Sequence, residues 1–145
     1  LVYIGGARMI EVGTVIPERI FKVNRAALKK YADASGDQNP IHQNEEFAKS
    51  VGLPDVIAHG MFTMALAGKF ATDWAGGSAT MKEFSTRFTK PVVVPAGKSV
   101  DLIISGEVGE VLSEGLVRVD ITATSDGQKV LGMARAIVDV NGKSK

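Results

Sequence analysis

Asp37 and His42 stand five positions apart in Asp37-Gln38-Asn39-Pro40-Ile41-His42, and the chain has one other histidine, His59. A carboxylate and an imidazole aimed into one cleft can hold a water between them, one group taking a proton while the other gives one. Pro40 biases Asn39 towards an extended backbone, so the intervening segment is a shaped turn. Each residue alone has a plainer reading. An Asp behind Gly36 commonly makes a local turn hydrogen bond, and a lone His is commonly structural. Their pairing across a Pro-shaped turn is what points to acid–base chemistry.

A second candidate is Ala58-His59-Gly60-Met61. If a helix starts here, the Gly60 N–H is one of its orphan donors, at the positive end of the helix dipole. A developing oxyanion could bind there, and a residue without a side chain lets it come close. A simple loop-to-helix transition explains the same residues without chemistry.

The surrounding pattern predicts the elements that position these groups. Thr14 to Val23 alternates loosely around Pro17 and reads as an edge or irregular strand. Asn24 is a good cap for a helix carrying Ala27, Leu28, Tyr31 and Ala32, and Gly36 is its stop. Asn44 caps a short helix with Glu45 and Glu46 in its first turn, and Gly52 ends it. From about His59 to Thr72 a helix is apolar on nearly every face, which predicts burial on nearly every face. The rest reads as strands. Met81 to Val94 is one, with Phe84, Thr86 and Phe88 sharing a face. Val100, Leu102 and Ile104 mark the next, and Val117, Val119, Ile121 and Ala123 a third. Ser125-Asp126-Gly127 is a hairpin turn. A last strand runs from Val130 to Val140 with apolar residues on both faces, so it should be covered on both. An all-apolar helix followed by a meander suggests an α+β fold, a curved antiparallel sheet around a central helix.

Composition sets bounds. The 145 residues fit one domain, and the absence of cysteine removes disulfides, thiolate metal sites and thiol nucleophiles. Seventeen basic against sixteen acidic side chains give a net charge of +1, no basis for long-range attraction to nucleic acid or an anionic membrane. The longest mostly apolar stretch, Gly60 to Ala71, carries Lys69 and is too short to span a bilayer. Leu1 to Met9 has no basic region ahead of an apolar run, so it does not read as a signal peptide. Met9 is a candidate natural start, and the cytoplasm is the expected compartment.

Tyr31-Ala32-Asp33-Ala34-Ser35-Gly36-Asp37-Gln38-Asn39-Pro40-Ile41-His42, with Ala48 beyond it, resembles the signature of the MaoC-like (R)-specific enoyl-CoA hydratases. That signature runs aromatic, short spacer, Ser-Gly-Asp-x-Asn-Pro-aliphatic-His, then a small residue six positions on. Only Ala34 departs mildly, where a larger aliphatic or Gly is usual. Ala58-His59-Gly60-Met61 and Arg87-Phe88-Thr89-Lys90-Pro91-Val92, with Gly97 after it, also match. The resemblance covers roughly Glu11 to Val140. It implies a hot dog fold, read here as a single domain over residues 11–145 behind an N-terminal extension over 1–10. It also implies a dimer joined edge to edge, with an acyl tunnel near the interface. The partner would be a second copy or a related hot dog subunit.

The implied reaction is reversible hydration of a trans-2-enoyl thioester, carried on coenzyme A or acyl carrier protein, to the (3R)-hydroxyacyl thioester. In that reading Asp37 and His42 share the water and Gly60 N–H takes the enolate oxygen. Asn39, His59 and Met61 bind substrate or orient these groups. Arg87 and Lys90 are candidates for a pantetheine phosphate, and simple solubility explains them equally well. No cofactor and no metal are implied. Two other readings stand beside it. A hot dog thioesterase usually needs a carboxylate on the central helix, and none lies between Gly60 and Thr72. A non-catalytic, acyl-binding partner subunit would have no need of both Asp37 and His42.

Overall fold

The computed structural model describes residues 2–4, 8–113 and 115–141, with backbone only for 2–4, 8 and 9. Leu1 and residues 5–7, part of the segment read above for a leader, lie outside the described residues. Strands β1 (Val2–Ile4) and β2 (Arg8–Ile10) form a separate antiparallel pair. The rest runs β3 (Val15–Val23), α1 (Arg25–Ser35), a 3-10 turn (Pro40–His42), α2 (Glu45–Ser50), α3 (Gly60–Ala75), a second 3-10 turn (Ser78–Thr80), β4 (Met81–Phe88), β5 (Val100–Ser113), β6 (Leu116–Ser125), β7 (Gln128–Lys129) and β8 (Leu131–Asp139). The main sheet is antiparallel throughout, in the order β3-β5-β6-β8-β4, with β7 paired to β6. Helix α3 packs on it, as the hot dog fold requires.

Local chemistry explains the element ends. Asn24 accepts from Ala27 N–H at 2.8 Å to start α1, and Gly36 ends it at φ 81°, where a side chain would be strained. Asn44 accepts from Phe47 N–H at 2.9 Å to start α2, whose cap is Val51, one residue ahead of the expected Gly52. Asp126 and Gly127 both take positive φ, 51° and 72°, the geometry of a two-residue hairpin turn. The register of β3 shifts between Ile16 and Arg19, at Pro17, so the expected irregular edge strand is present.

Four expectations need correction. Helix α3 is buried or half-buried on every side but one stripe. Thr63, Ala67, Phe70, Ala71 and Ala75 face the core, while Ala65, Lys69 and Asp73 are exposed and Met61 keeps 56% of its surface. The curved sheet and the segments beside it cover most of the helix, and positions 61, 65, 69 and 73 fall on the stripe left uncovered. The helix also runs past Thr72 to Ala75.

Strand β4 stops at Phe88, not Val94. Pro91 cannot donate to a ladder, and the chain beyond turns to pair with residues 56–58. Ala58 N–H donates to Val92 O at 2.9 Å and Val94 N–H to Val56 O at 2.8 Å.

The strands after α3 are not a simple meander, because β4 lies outside β8 while β5 sits beside β3. Finally, β8 is covered on one face. Ala134, Ala136 and Val138 are buried, but Arg135 is exposed and Met133 keeps 58% of its surface. Met133 takes φ 47° where the β4–β8 register shifts, a bulge beyond which Leu131 is buried although it shares the parity of the outward Met133 and Arg135.

Phe70 anchors the helix to the sheet. A side chain at Gly106 on β5 would come within 2.9 Å of its ring, so the bare backbone there lets helix and sheet close together.

Candidate active site

The turn after α1 is held by its own side chains. Asp37 N–H donates to Ser35 Oγ at 3.2 Å. Asp37 Oδ1 accepts from Asn39 N–H at 3.2 Å, and Asn39 Oδ1 accepts from Ile41 N–H at 3.2 Å. Gln43 Nε2–H donates to Gln38 Oε1 at 2.7 Å. These bonds start the 3-10 turn that ends on His42 and leave the second carboxylate oxygen of Asp37, an exposed residue, free for other work.

His42 is buried, with 7% of its surface exposed, and its Nδ1 lies 2.8 Å from Ile57 O. A carbonyl only accepts, so Nδ1 carries the proton and the neutral ring keeps its lone pair on Nε2. Ile57 belongs to the strap 56–58. Its N–H donates to Ile41 O at 3.2 Å, and the strap pairs on its other side with 92–94. Arg25 fastens the strap to α1 through Val94 O at 2.6 Å and Asp55 at 2.8 Å.

His59 is more buried still, at 1% exposure. Its Nε2 lies 3.1 Å from the backbone oxygen of Asp37, so by the same logic Nε2 is the donor. Its ring stacks on that of His42 with centroids 3.9 Å apart and planes 24° apart, and Tyr31 meets it edge-on at 4.7 Å. Its Nδ1 is buried without a hydrogen-bond partner among the described residues. Burial, which favours the neutral ring, pushes the imidazole below its ordinary range, against the opposing pull of the Asp37 carbonyl.

Gly60 opens α3, where the first N–H groups have no partner inside the helix. It lines a pocket of about 240 Å³ with His42, Thr63, Phe88, Lys90 and Val130. A Cβ at Gly60 would sit 3.0 Å from the Phe88 ring, so glycine is what keeps this wall open.

The structure thus brings Asp37, His42 and His59 together, and His42 also lines the pocket with Gly60, whereas Asp37 and His59 stand beside that pocket and not in its lining. The donor atoms of Asp37, His42 and His59 lie within 4.8 Å of one another. Asn39 serves the turn through Ile41, and Met61 is exposed and does not line the pocket. Lys90 reaches the pocket lining, whereas Arg87 is exposed on β4 outside it. Thr63, buried and lining the pocket, escaped the sequence reading, although its place one turn after His59 was a usable signal. The Ile57 carbonyl had no local signal at all.

The same three donors invite a metal reading, which their geometry does not fit. Stacked imidazoles hold their in-plane lone pairs side by side rather than converging on one ion. The carboxylate of α3, Asp73, lies in its last turns and is paired with Arg19 at 2.7 Å and Lys69 at 2.9 Å, committed to ion pairs rather than to attack on a carbonyl.

Residues 12–125 match the family model described as "MaoC like domain", and the chain belongs to that family. It is 40% identical over 80 residues to the "3-hydroxyacyl-thioester dehydratase X" of Mycobacterium tuberculosis, a match covering 55% of this chain and 28% of that one. It is 29% identical over 124 residues to the "3-oxo-4,17-pregnadiene-20-carboxyl-CoA hydratase beta subunit" of the same organism, over 86% of this chain and 89% of that one. A solved structure described as "MaoC-like dehydratase" superposes with a TM-score of 0.86 at 36% identity, over 90% of this chain and 40% of that one. The chain therefore spans well under half the length of that dehydratase relative and of that solved structure.

Proposed function

We propose that this chain adds water reversibly across the C2–C3 double bond of a trans-2-enoyl thioester to give the (3R)-hydroxyacyl thioester. The observation that carries this is the meeting of the Asp37 carboxylate and the His42 imidazole, within 4.8 Å, beside a pocket whose wall begins a helix at Gly60. The names of two relatives, a thioester dehydratase and a CoA hydratase subunit, support the same reading.

In the hydration direction a water sits between the free oxygen of Asp37 and Nε2 of His42. Its oxygen bonds to C3 as one of its protons passes to the pair. The thioester carbonyl becomes an enolate, whose oxygen is held by Gly60 N–H, a donor worth about 3 kcal/mol in comparable oxyanion sites. A proton returned from the pair to C2 completes the addition, and dehydration runs the same steps backwards. Both groups touch the same water, so acid and base are roles of the pair. Lys90, at the pocket lining, is placed to meet the phosphate of a pantetheine arm.

The chain acts as a dimer, with a copy of itself or a related hot dog subunit, in the cytoplasm. The open stripe of α3 with Met61, and Phe88 at 55% exposure, support a covered face, and the "beta subunit" name of one relative supports a mixed assembly. Among the described residues no helix is long and apolar enough to cross a membrane.

The test is loss of the enoyl-thioester absorbance with crotonyl-CoA, longer enoyl-CoA substrates and an enoyl acyl carrier protein. Loss in wild type that vanishes in Asp37→Asn supports the reading. No loss with any of the three, alone or with a related hot dog subunit added, overturns it.

A further inference from the structure

We propose that His59 is a positioning residue for the Asp37–His42 pair: its Nε2–H holds the Asp37 backbone and its ring sets the plane of the His42 ring. The inference rests on the hydratase reading for its kinetic test but not for its structural one.

Three observations converge. The first is cost. A buried ring nitrogen without a partner destabilises the fold, so a position that needed only filling would be better occupied by Phe or Leu. The second is reach. His59 touches Asp37 at 3.1 Å, 22 positions away in the chain, and stacks on His42 at 3.9 Å, while its own backbone leads directly into Gly60. One side chain thereby ties both acid–base groups to the start of α3. The third is charge. The groups facing the ring are Asp37, His42 and Tyr31, and a cation stacked on His42 would oppose its taking a proton. A ring held neutral by burial gives rigidity without that penalty.

Two substitutions separate the functions. His59→Phe keeps a flat ring and loses the N–H; His59→Gln keeps an N–H at similar reach and loses the ring. With an enoyl-CoA substrate, His59→Phe should lower kcat about 100-fold, the order expected for a displacement of about 1 Å, with KM within about threefold. His59→Gln should regain about tenfold of that loss. In an Asp37→Asn background His59→Phe should cost less than about threefold, because it acts through a group already disabled. A kcat for His59→Phe within about threefold of wild type, a loss confined to KM, or equal losses in both backgrounds would overturn the proposal.

Imidazole nitrogen NMR tests it without turnover. His59 should be a neutral Nε2–H ring at about pH 7 and take up its proton only below the ordinary imidazole value, and either substitution should move the His42 ring and Asp37 amide resonances. Titration of His59 at or above the ordinary imidazole value of 6.5, or unmoved resonances in the variants, would defeat the proposal whatever the kinetics. A wild type silent towards thioesters would defeat the hydratase reading alone, and the spectra would then decide the role of His59. If His59→Phe fails to fold, His59→Gln carries the spectroscopic test.

Discussion

Asp37 sits on a turn held by hydrogen bonds between residues two to five positions apart, whereas Gly60 is held by groups that approach from far along the chain. The turn is polar and exposed; the helix start lies among buried Ala58, His59 and Thr63 with Phe88 against it. The first can form as soon as its own residues are made. The second exists only when β4, the strap and α3 are in place. The candidate site is the junction of the two, and His42 and His59 are its two pins, each with one nitrogen on a carbonyl of the other region. If the proposed function holds, a site built this way separates chemistry from folding: the groups proposed to react lie on the locally built turn and the groups that aim them lie in the core.

That contrast can be broken in graded steps. Asp37→Asn and His42→Ala should each cut turnover by about 10²–10⁴-fold, the exposed Asp37→Asn with a thermal midpoint near that of wild type and the buried His42→Ala with a lower one, and the double variant should lose little more turnover than either alone. Turnover assays beside melting curves check this. A variant that loses activity only by unfolding would show that turn and core are one unit. Phe70→Ala attacks the other side. Removing this buried ring from its seat on Gly106 should cost about 3–5 kcal/mol of stability, measured by urea unfolding, with the folded fraction still active.

Gly60→Ala falls at the junction. Its methyl meets the Phe88 ring, which must shift into the pocket, so kcat/KM should fall about tenfold, or about 1.4 kcal/mol. Adding Phe88→Ala should restore part of it. Asn24→Ala removes a helix cap away from the pocket and should cost about 1 kcal/mol of stability without changing kcat.

The smallest effect is one of pH. The folded His59 has its pKa below the ordinary 6.5, mainly through burial. As pH falls through about 6.5 the unfolded chain binds a proton that the folded chain refuses, so stability declines until pH passes the folded value. Denaturation midpoints should therefore drop from about pH 7.5 to about pH 5 in wild type and drop less in His59→Phe.

Much of this was legible in the residues. Asn24, Gly36, Asn44 and Asp126-Gly127 act where expected, and Val117, Val119, Ile121 and Ala123 are buried on one face of β6 as their alternation indicated. The misreadings share a cause. Apolar residues at Met61, Ala65 and Met133 satisfy the periodicity of buried elements, but periodicity says what an element can bury and not what stands opposite it. Likewise the run to Val94 has strand-like residues throughout, and only the presence of the 56–58 strap explains why the chain leaves the sheet at Phe88.

What the amino-acid order determined by itself is therefore the local part: capped helices, the Asp37-to-His42 turn, the alternating strands and the residue types able to move a proton. These depend on groups within a few positions of one another, whose contacts form at little entropic cost. Only the tertiary structure decided that β4 crosses to the far edge beside β8, that α3 shows one flank to the sheet, and that His59 reaches Asp37 while Ile57 receives His42. Those contacts join residues 15 or more positions apart, and the loop closure they require is offset only by burial of the whole core.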